Sequence, residues 1–155
     1  MARTRAAGAR LIVNDRADIA RLSGADGVHV GQDDLRVEDV RAMVGAAAIV
    51  GVSTHDETQI AEAARSSATY IAVGPIYATA TKTTGYSARG LALVRHAASG
   101  QKPVVAIGGI TLERAGEVVE AGAASVAVIS DLLRGEPAET VRAFRHRLDA
   151  AGTSR

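Results

Sequence analysis

The sequence contains no cysteine, no apolar run of membrane length and no block of charge of one sign. Without cysteine, disulfides, thiolate metal sites and thiol redox chemistry are excluded, and a reducing compartment is permitted. No stretch approaches the roughly 20 apolar residues of a membrane span. Met1 to Arg10 also lacks the apolar core of a secretory signal, so a cytoplasmic location is expected. Lys and Arg are scattered and the net charge is +1, so nothing points to nucleic acid or to an anionic membrane as a partner. Any anionic ligand must therefore be held locally. What is present is the composition of one globular domain over 1–155, with 47% hydrophobic and 23% charged residues, enough to bury a core.

Short β-branched runs recur at Leu11 to Val13, Val28 to Val30, Ile49 to Val52, Tyr70 to Val73, Val104 to Ile107 and Val126 to Ile129. Each reads as a buried strand. Between them lie Ala-rich amphipathic segments, such as Asp56 to Ser66 and Glu113 to Ala121, whose spacing is helical. Thr54 with Glu57 has the pattern of a capping box, Thr111 is placed to cap the next helix, and Gly122 sits where a helix-ending glycine belongs. A weak internal repeat, Gly24-Ala-Asp-Gly-Val-His-Val and Gly122-Ala-Ala-Ser-Val-Ala-Val, brings two helix ends into strands through small residues. Crossovers too long for hairpins require parallel strands with helices outside, which predicts six β/α units. A closed (β/α)8 barrel needs eight and usually at least about 200 residues, so an open doubly wound sheet stays a structural rival.

In a parallel fold the residues after each strand gather on one rim. Here these are Asn14-Asp15-Arg16, Gln32-Asp33-Asp34, Ser53-Thr54-His55, the loop from Gly74 to Gly90, Gly108-Gly109-Ile110-Thr111 and Ser130-Asp131. Asp15 and Asp34 are hard oxygen donors suited to Mg²⁺ that also bridges phosphates, or else Asp34 caps a helix starting at Leu35 and Asn14-Asp15 is an ordinary polar turn. The long loop offers Thr79, Thr81 and Lys82, hydroxyls and an ammonium that suit phosphate oxygens; the alternative is a solvated surface loop. Gly108 and Gly109 expose backbone N–H groups next to the last strand's turn, as in barrels that bind phosphate there, or serve only a tight turn. His55 is either a general acid or base or a helix-start residue, whereas His29, inside a strand, reads as a satisfied structural histidine.

The ordered set Leu-Ile-Val-Asn-Asp-Arg, Gly-Val-His-Val-Gly-Gln-Asp-Asp, Gly-Val-Ser-Thr-His, Gly-Pro-Ile-Tyr-Ala-Thr-Ala-Thr-Lys and Ala-Ile-Gly-Gly-Ile resembles thiamine phosphate synthase over nearly the whole chain. Five modest motifs in the right order are jointly specific. The resemblance implies a (β/α)8 barrel and a transferase of thiamine biosynthesis. Such an enzyme displaces diphosphate from a pyrimidine-methyl diphosphate with the ring nitrogen of a hydroxyethylthiazole phosphate. It implies Mg²⁺ on Asp15 and Asp34, the pyrimidine substrate on Asn14 and Ser53, and the leaving group on Lys82. Thr79, Thr81, Gly109, Ile129 and Ser130 would hold the thiazole phosphate, with Ser53 and Lys82 the catalytic pair.

The family's second-strand Gln-x-Arg-x-Lys segment has no counterpart here, and Met1 to Gly8 resembles the tail of the helix leading into the third strand. The expectation is a barrel lacking roughly its first two units, with strands equivalent to the third through eighth. Two alternatives follow: a thiazole tautomerase-like enzyme, which would not need the paired carboxylates, and a non-catalytic phosphate-binding remnant. Small-molecule phosphates are the expected partners, and a homo-oligomer is compatible with the sequence.

Overall fold

Six β-branched segments do form strands, and they pair in the order in which they occur along the chain. The computed structural model describes residues 2–79 and 85–152. A short helix α1 (Ala2–Ala6) is followed by β1 (Ile12–Asn14), α2 (Ala17–Ser23), β2 (Gly27–Val30), α3 (Val37–Val44), β3 (Ile49–Thr54), α4 (Glu57–Arg65) and β4 (Tyr70–Val73). Then come α5 (Gly90–Ala98), β5 (Val104–Ile107), α6 (Leu112–Glu120), β6 (Ser125–Ala127), a 3-10 turn (Asp131–Leu133) and α7 (Pro137–Gly152). Every neighbouring pair is parallel.

That order decides between the two architectures the sequence allows. A doubly wound sheet reverses its strand order at a switch point, whereas β1 to β6 run without reversal, as in one arc of a β/α barrel. With crossovers of one hand, helices then fall on one face only. The result is a curled, TIM-barrel-like half-barrel.

The helix-covered face carries the core. Val28, Val30, Val50, Ile71, Val73, Val104 and Ala106 are all at most 2% exposed and pack against Ala17, Val40, Ile60, Val94 and Val118 from the helices. Each buried branched side chain contributes roughly 1.5–3 kcal/mol, so this face supplies most of the cohesion. The concave face is different. In β5 and β6 the alternate residues Val105, Ile107, Ser125 and Ala127 are only partly covered or exposed. The strands are therefore buried on one face and open toward a concavity on the other, a correction to reading them as buried throughout.

At the N-terminal ends of the strands, cations tie the connectors. Arg41 donates to the carbonyls of Ala48 (2.5 Å) and Ser67 (2.8 Å), and Lys102 Nζ donates to those of Ser66 (2.9 Å) and Ala68 (2.6 Å). These contacts stabilise the face opposite the rim, leaving the C-terminal ends free for chemistry.

Helix starts depart from the sequence expectation. α4 is capped by Asp56, whose carboxylate accepts from Gln59 N at 2.8 Å while Gln59 Oε1 accepts from His55 N at 2.7 Å. The cap is thus Asp56, with Gln59 reaching back to the amide one residue earlier, rather than Thr54 with Glu57. Thr54 is fully buried in β3, its hydroxyl donating to Ala72 O at 3.0 Å. Thr111 bonds Glu113, and Leu112 N at the start of α6 donates instead to Asp131 Oδ2 at 2.9 Å. A carboxylate outcompetes a hydroxyl at the positive end of a helix.

Candidate functional site

The C-terminal ends of the strands surround a cavity of about 700 Å³. Its walls include Asn14 and Asp15 after β1, Asp34 after β2, Ser53 in β3, Thr79 after β4, Gly109 after β5, and Ile129 and Ser130 after β6. All eight described residues singled out from the sequence therefore meet in one place. Thr81 and Lys82 lie outside the described residues.

Each turn is shaped to present its residues inward. Asp15 adopts a left-handed conformation (φ 64°) and its amide donates to His29 O at 2.7 Å, extending the β1–β2 ladder past the strand end. A non-glycine residue there is uncommon and marks a constrained turn. Asp34 does not cap a helix, because α3 starts three residues later with Arg36 as its cap position. Its Oδ2 instead accepts from Gly31 N at 2.7 Å, folding the turn back so that the carboxylate stands on the cavity wall. Gln32 crosses to β3 and donates to Ser53 O at 2.5 Å.

The Gly108-Gly109 turn is the tight, positive-φ turn that the sequence allowed. Both residues have positive φ (96° and 63°), and a Cβ on either would collide with the loop after β4, at Pro75 Cβ (2.6 Å) and at Ala78 O (2.5 Å). Their smallness lets that loop close over the turn: Ile76 N donates to Ile107 O and Tyr77 N to Gly108 O, at 2.9 and 3.0 Å. Among the described residues the amides of Gly109, Ile129 and Ser130 have no protein acceptor, which leaves three N–H donors beside the cavity. Amides left without an acceptor beside a cavity suit an anion.

Two histidines also line the cavity. His55 Nδ1 lies 2.6 Å from Gly74 O, and the ring stacks on Tyr86 with centroids 3.9 Å apart. For a carbonyl partner the ring nitrogen must carry the proton, so His55 Nδ1 is the donor. His29 is bonded at both ring nitrogens, to Tyr70 Oη and to Ser53 Oγ, each at 2.9 Å. It is satisfied, as a strand histidine was expected to be, but its partner Ser53 makes it part of the site. The sequence signal was available only once register was known: Asn14 pairs with His29, His29 with Gly51, and Gly51 with Tyr70.

Asp15 and Asp34 face the same cavity from neighbouring strand ends, and among the described residues no group of three or more His, Asp or Glu could cage a metal ion. Two carboxylates without imidazole or thiolate fit a hard cation that keeps its waters and shares its ligands with a phosphate.

Comparison with known proteins identifies the family. The family model for thiamine monophosphate synthase matches residues 1–132. The chain belongs to this family. It is 47% identical over 143 residues to a thiamine-phosphate synthase from Roseiflexus castenholzii, covering 91% of this chain and 63% of that one. It is 52% identical over 124 residues to one from Mycolicibacterium paratuberculosis, covering 79% and 55%. The chain thus spans about three fifths of the length of these relatives. Among solved structures, thiamine phosphate pyrophosphorylase from Pyrococcus furiosus superposes with a TM-score of 0.87 at 31% identity, covering 96% of this chain and 71% of that one. No helix among the described residues is long and apolar enough to cross a membrane.

Proposed function

We propose that the chain provides the catalytic rim of a thiamine phosphate synthase, and that β1 to β6 correspond to the third through eighth strands of an eight-stranded barrel. The observation that carries this reading is the convergence of all eight described site residues on one cavity. The proposed substrates are a pyrimidine-methyl diphosphate and a hydroxyethylthiazole phosphate, small molecules of the cytoplasm.

The chemistry asked of these residues is modest. The bond between the pyrimidine methylene carbon and the diphosphate oxygen breaks, and the electron pair leaves with diphosphate. The thiazole nitrogen lone pair then forms the new C–N bond. Positive charge develops on the methylene carbon and negative charge on the departing group. Asn14 and Ser53 hold the pyrimidine substrate. The ammonium of Lys82 stabilises the leaving diphosphate. Thr79 and Thr81, with the amides at Gly109, Ile129 and Ser130, hold the thiazole phosphate within reach. Asp15 and Asp34 are the ligands for Mg²⁺, which when bound supplies positive charge against the diphosphate oxygens. No side-chain nucleophile is required, so orientation and electrostatics provide the acceleration.

The test is direct. With both substrates and Mg²⁺, a full-length version carrying the two further β/α units is expected to release thiamine phosphate and diphosphate in equal amounts, and Lys82→Ala in it is expected to lower turnover more than it raises KM. Tight binding of both phosphates without product would make the chain a phosphate-binding module instead. Activity on a thiazole alone, by proton shift, would assign it to the tautomerase class.

A further inference from the structure

The hydrogen-bonded row Tyr70–His29–Ser53 on the concave face has a direction that its proton count determines. A neutral imidazole has one N–H, so it donates at one nitrogen and accepts at the other. In one arrangement Tyr70 donates to Nδ1 and the Nε2–H donates to Ser53 Oγ. In the other, Nδ1–H donates to Tyr70 and Ser53 donates to Nε2, which leaves the phenol proton in need of another acceptor. Among the described residues the Tyr70 hydroxyl has no partner but His29 Nδ1. Burial pushes the Tyr70 phenol above its ordinary range, so it keeps its proton. The first arrangement satisfies every group, and the second leaves a half-buried donor without a protein acceptor.

Packing holds the row in place. The Tyr70 ring lies across Gly51 on the neighbouring strand, where a Cβ would fall inside the ring. The imidazole and the phenol ring stack with centroids 5.6 Å apart and planes 22° apart. Neither ring can turn away without unpacking the other.

We propose that Tyr70 is a positioning residue that fixes His29 as its Nε2–H tautomer and thereby turns the Ser53 hydroxyl proton into the cavity, as a donor to an acceptor atom of the substrate. Ser53 Oγ accepts from the histidine, so its own proton is the one left to point outward. Ser53 is then a hydrogen-bond donor to a ring nitrogen or phosphate oxygen, and His29 is not a base that activates it. The inference rests on the reading that Ser53 meets the pyrimidine substrate, but the proton order itself can be read without turnover.

The experiment is NMR of the whole chain labelled with ¹⁵N in histidine, at mildly alkaline pH, with His29 assigned by the signal lost in His29→Gln. A pyrrole-type Nε2 and a pyridine-type Nδ1 are expected. Tyr70→Phe is expected to turn this into a mixture of tautomers, whereas Ser53→Ala leaves it unchanged. In kinetics Tyr70→Phe should lower kcat about tenfold with KM for the thiazole phosphate nearly unchanged, the size of one misdirected hydrogen bond. A pyrrole-type Nδ1, an imidazolium, or a tautomer indifferent to Tyr70→Phe would overturn the proposal. The expected tautomers in a chain without synthase turnover would support the proton order and count against the functional reading alone.

Discussion

The hydroxyl of Tyr77 donates to Glu117 Oε1 at 2.5 Å, joining the loop after β4 to the outer helix α6. Arg114 packs over the same ring, its guanidinium carbon 4.5 Å from the centroid, and also donates to Gly109 O at 3.0 Å. One aromatic ring therefore connects the loop carrying Thr79 to the turn carrying Gly109, two parts of the same cavity wall.

This bond has a pH signature. Burial, then the hydrogen bond and charge of Glu117, push the Tyr77 phenol up to about 12. A folded-state pKa raised above the unfolded value of roughly 10 contributes stability that is complete below the unfolded value and is lost as pH rises through the folded one. The chain is expected to lose stability between those two values, and Tyr77→Phe should lose less over that window while being slightly less stable at neutral pH. Thermal melts followed by circular dichroism along an alkaline pH series check this. An identical alkaline slope in both proteins would show that the Tyr77–Glu117 bond is not coupled to folding.

Asp34 has two tasks that substitutions can separate. Its Oδ2 holds the turn through Gly31 N, and its carboxylate is a proposed Mg²⁺ ligand. Asp34→Asn keeps an acceptor for Gly31 but removes the charge, whereas Asp34→Ala removes both. Both are expected to weaken Mg²⁺-dependent diphosphate binding at least tenfold by calorimetry. Only Asp34→Ala should also cost about 1–2 kcal/mol of stability, from the amide left without its partner. Asp15→Ala should match Asp34→Asn in binding. Unchanged binding in all three would remove the metal assignment.

How much of this was legible in the sequence depends on the range over which each feature is determined. The strands were readable because β-branched runs such as Tyr70–Val73 and Val104–Ile107 bury one row against helices, a local and periodic property. The rim residues were readable because parallel order alone puts every strand's C-terminal end on one side. Asp56 was missed because Thr54 fits a capping pattern two residues earlier, and only burial of Thr54 within β3 disqualifies it. The role of Asp131 at the start of α6 was missed because the two are 19 residues apart. Tyr70 was hidden for the same reason: it reads as one more strand residue until register sets it beside Gly51, with its hydroxyl on the histidine of the strand beyond.

Gly109 tests the proposed anion pocket more sharply than any charged residue. In Gly109→Ala the new methyl would meet Ala78 O at 2.5 Å and Tyr77 Cβ at 2.9 Å, in a backbone conformation (φ 63°) that side chains resist. The loop must move away, taking Thr79 with it. A stability loss of about 1–3 kcal/mol is expected from the strain and overpacking. Affinity for inorganic phosphate should fall by tenfold or more, while diphosphate binding with Mg²⁺ falls much less. Equal losses for the two ligands would mean that the turn supports the whole cavity rather than one pocket. Gly45→Ala is the control, since it too has positive φ (88°) but open space and lies between α3 and the start of β3, away from the rim.

The last prediction concerns the two edges of the sheet. β1 pairs only with β2, and β6 only with β5, so each presents a row of backbone donors and acceptors with no strand beside it among the described residues. Near these edges Leu22 is 87% exposed, Leu133 70% and Ile129 57%. Unpaired edges flanked by apolar side chains favour strand addition between chains. Neither edge is protected by a proline or an inward-pointing lysine, since β1 is Ile-Val-Asn and β6 is Ser-Val-Ala. The 155-residue chain is therefore expected to self-associate with rising concentration, seen as an increasing mass in size-exclusion chromatography with light scattering. Ser125→Lys, at an exposed position of β6, should shift that equilibrium toward the monomer without lowering the melting temperature by more than a few degrees, because a surface charge disrupts pairing but not the helix-covered core. A strictly monomeric chain at high concentration would show that the edges are already shielded, and would direct attention to how α7 and the turn at 131–133 lie against them.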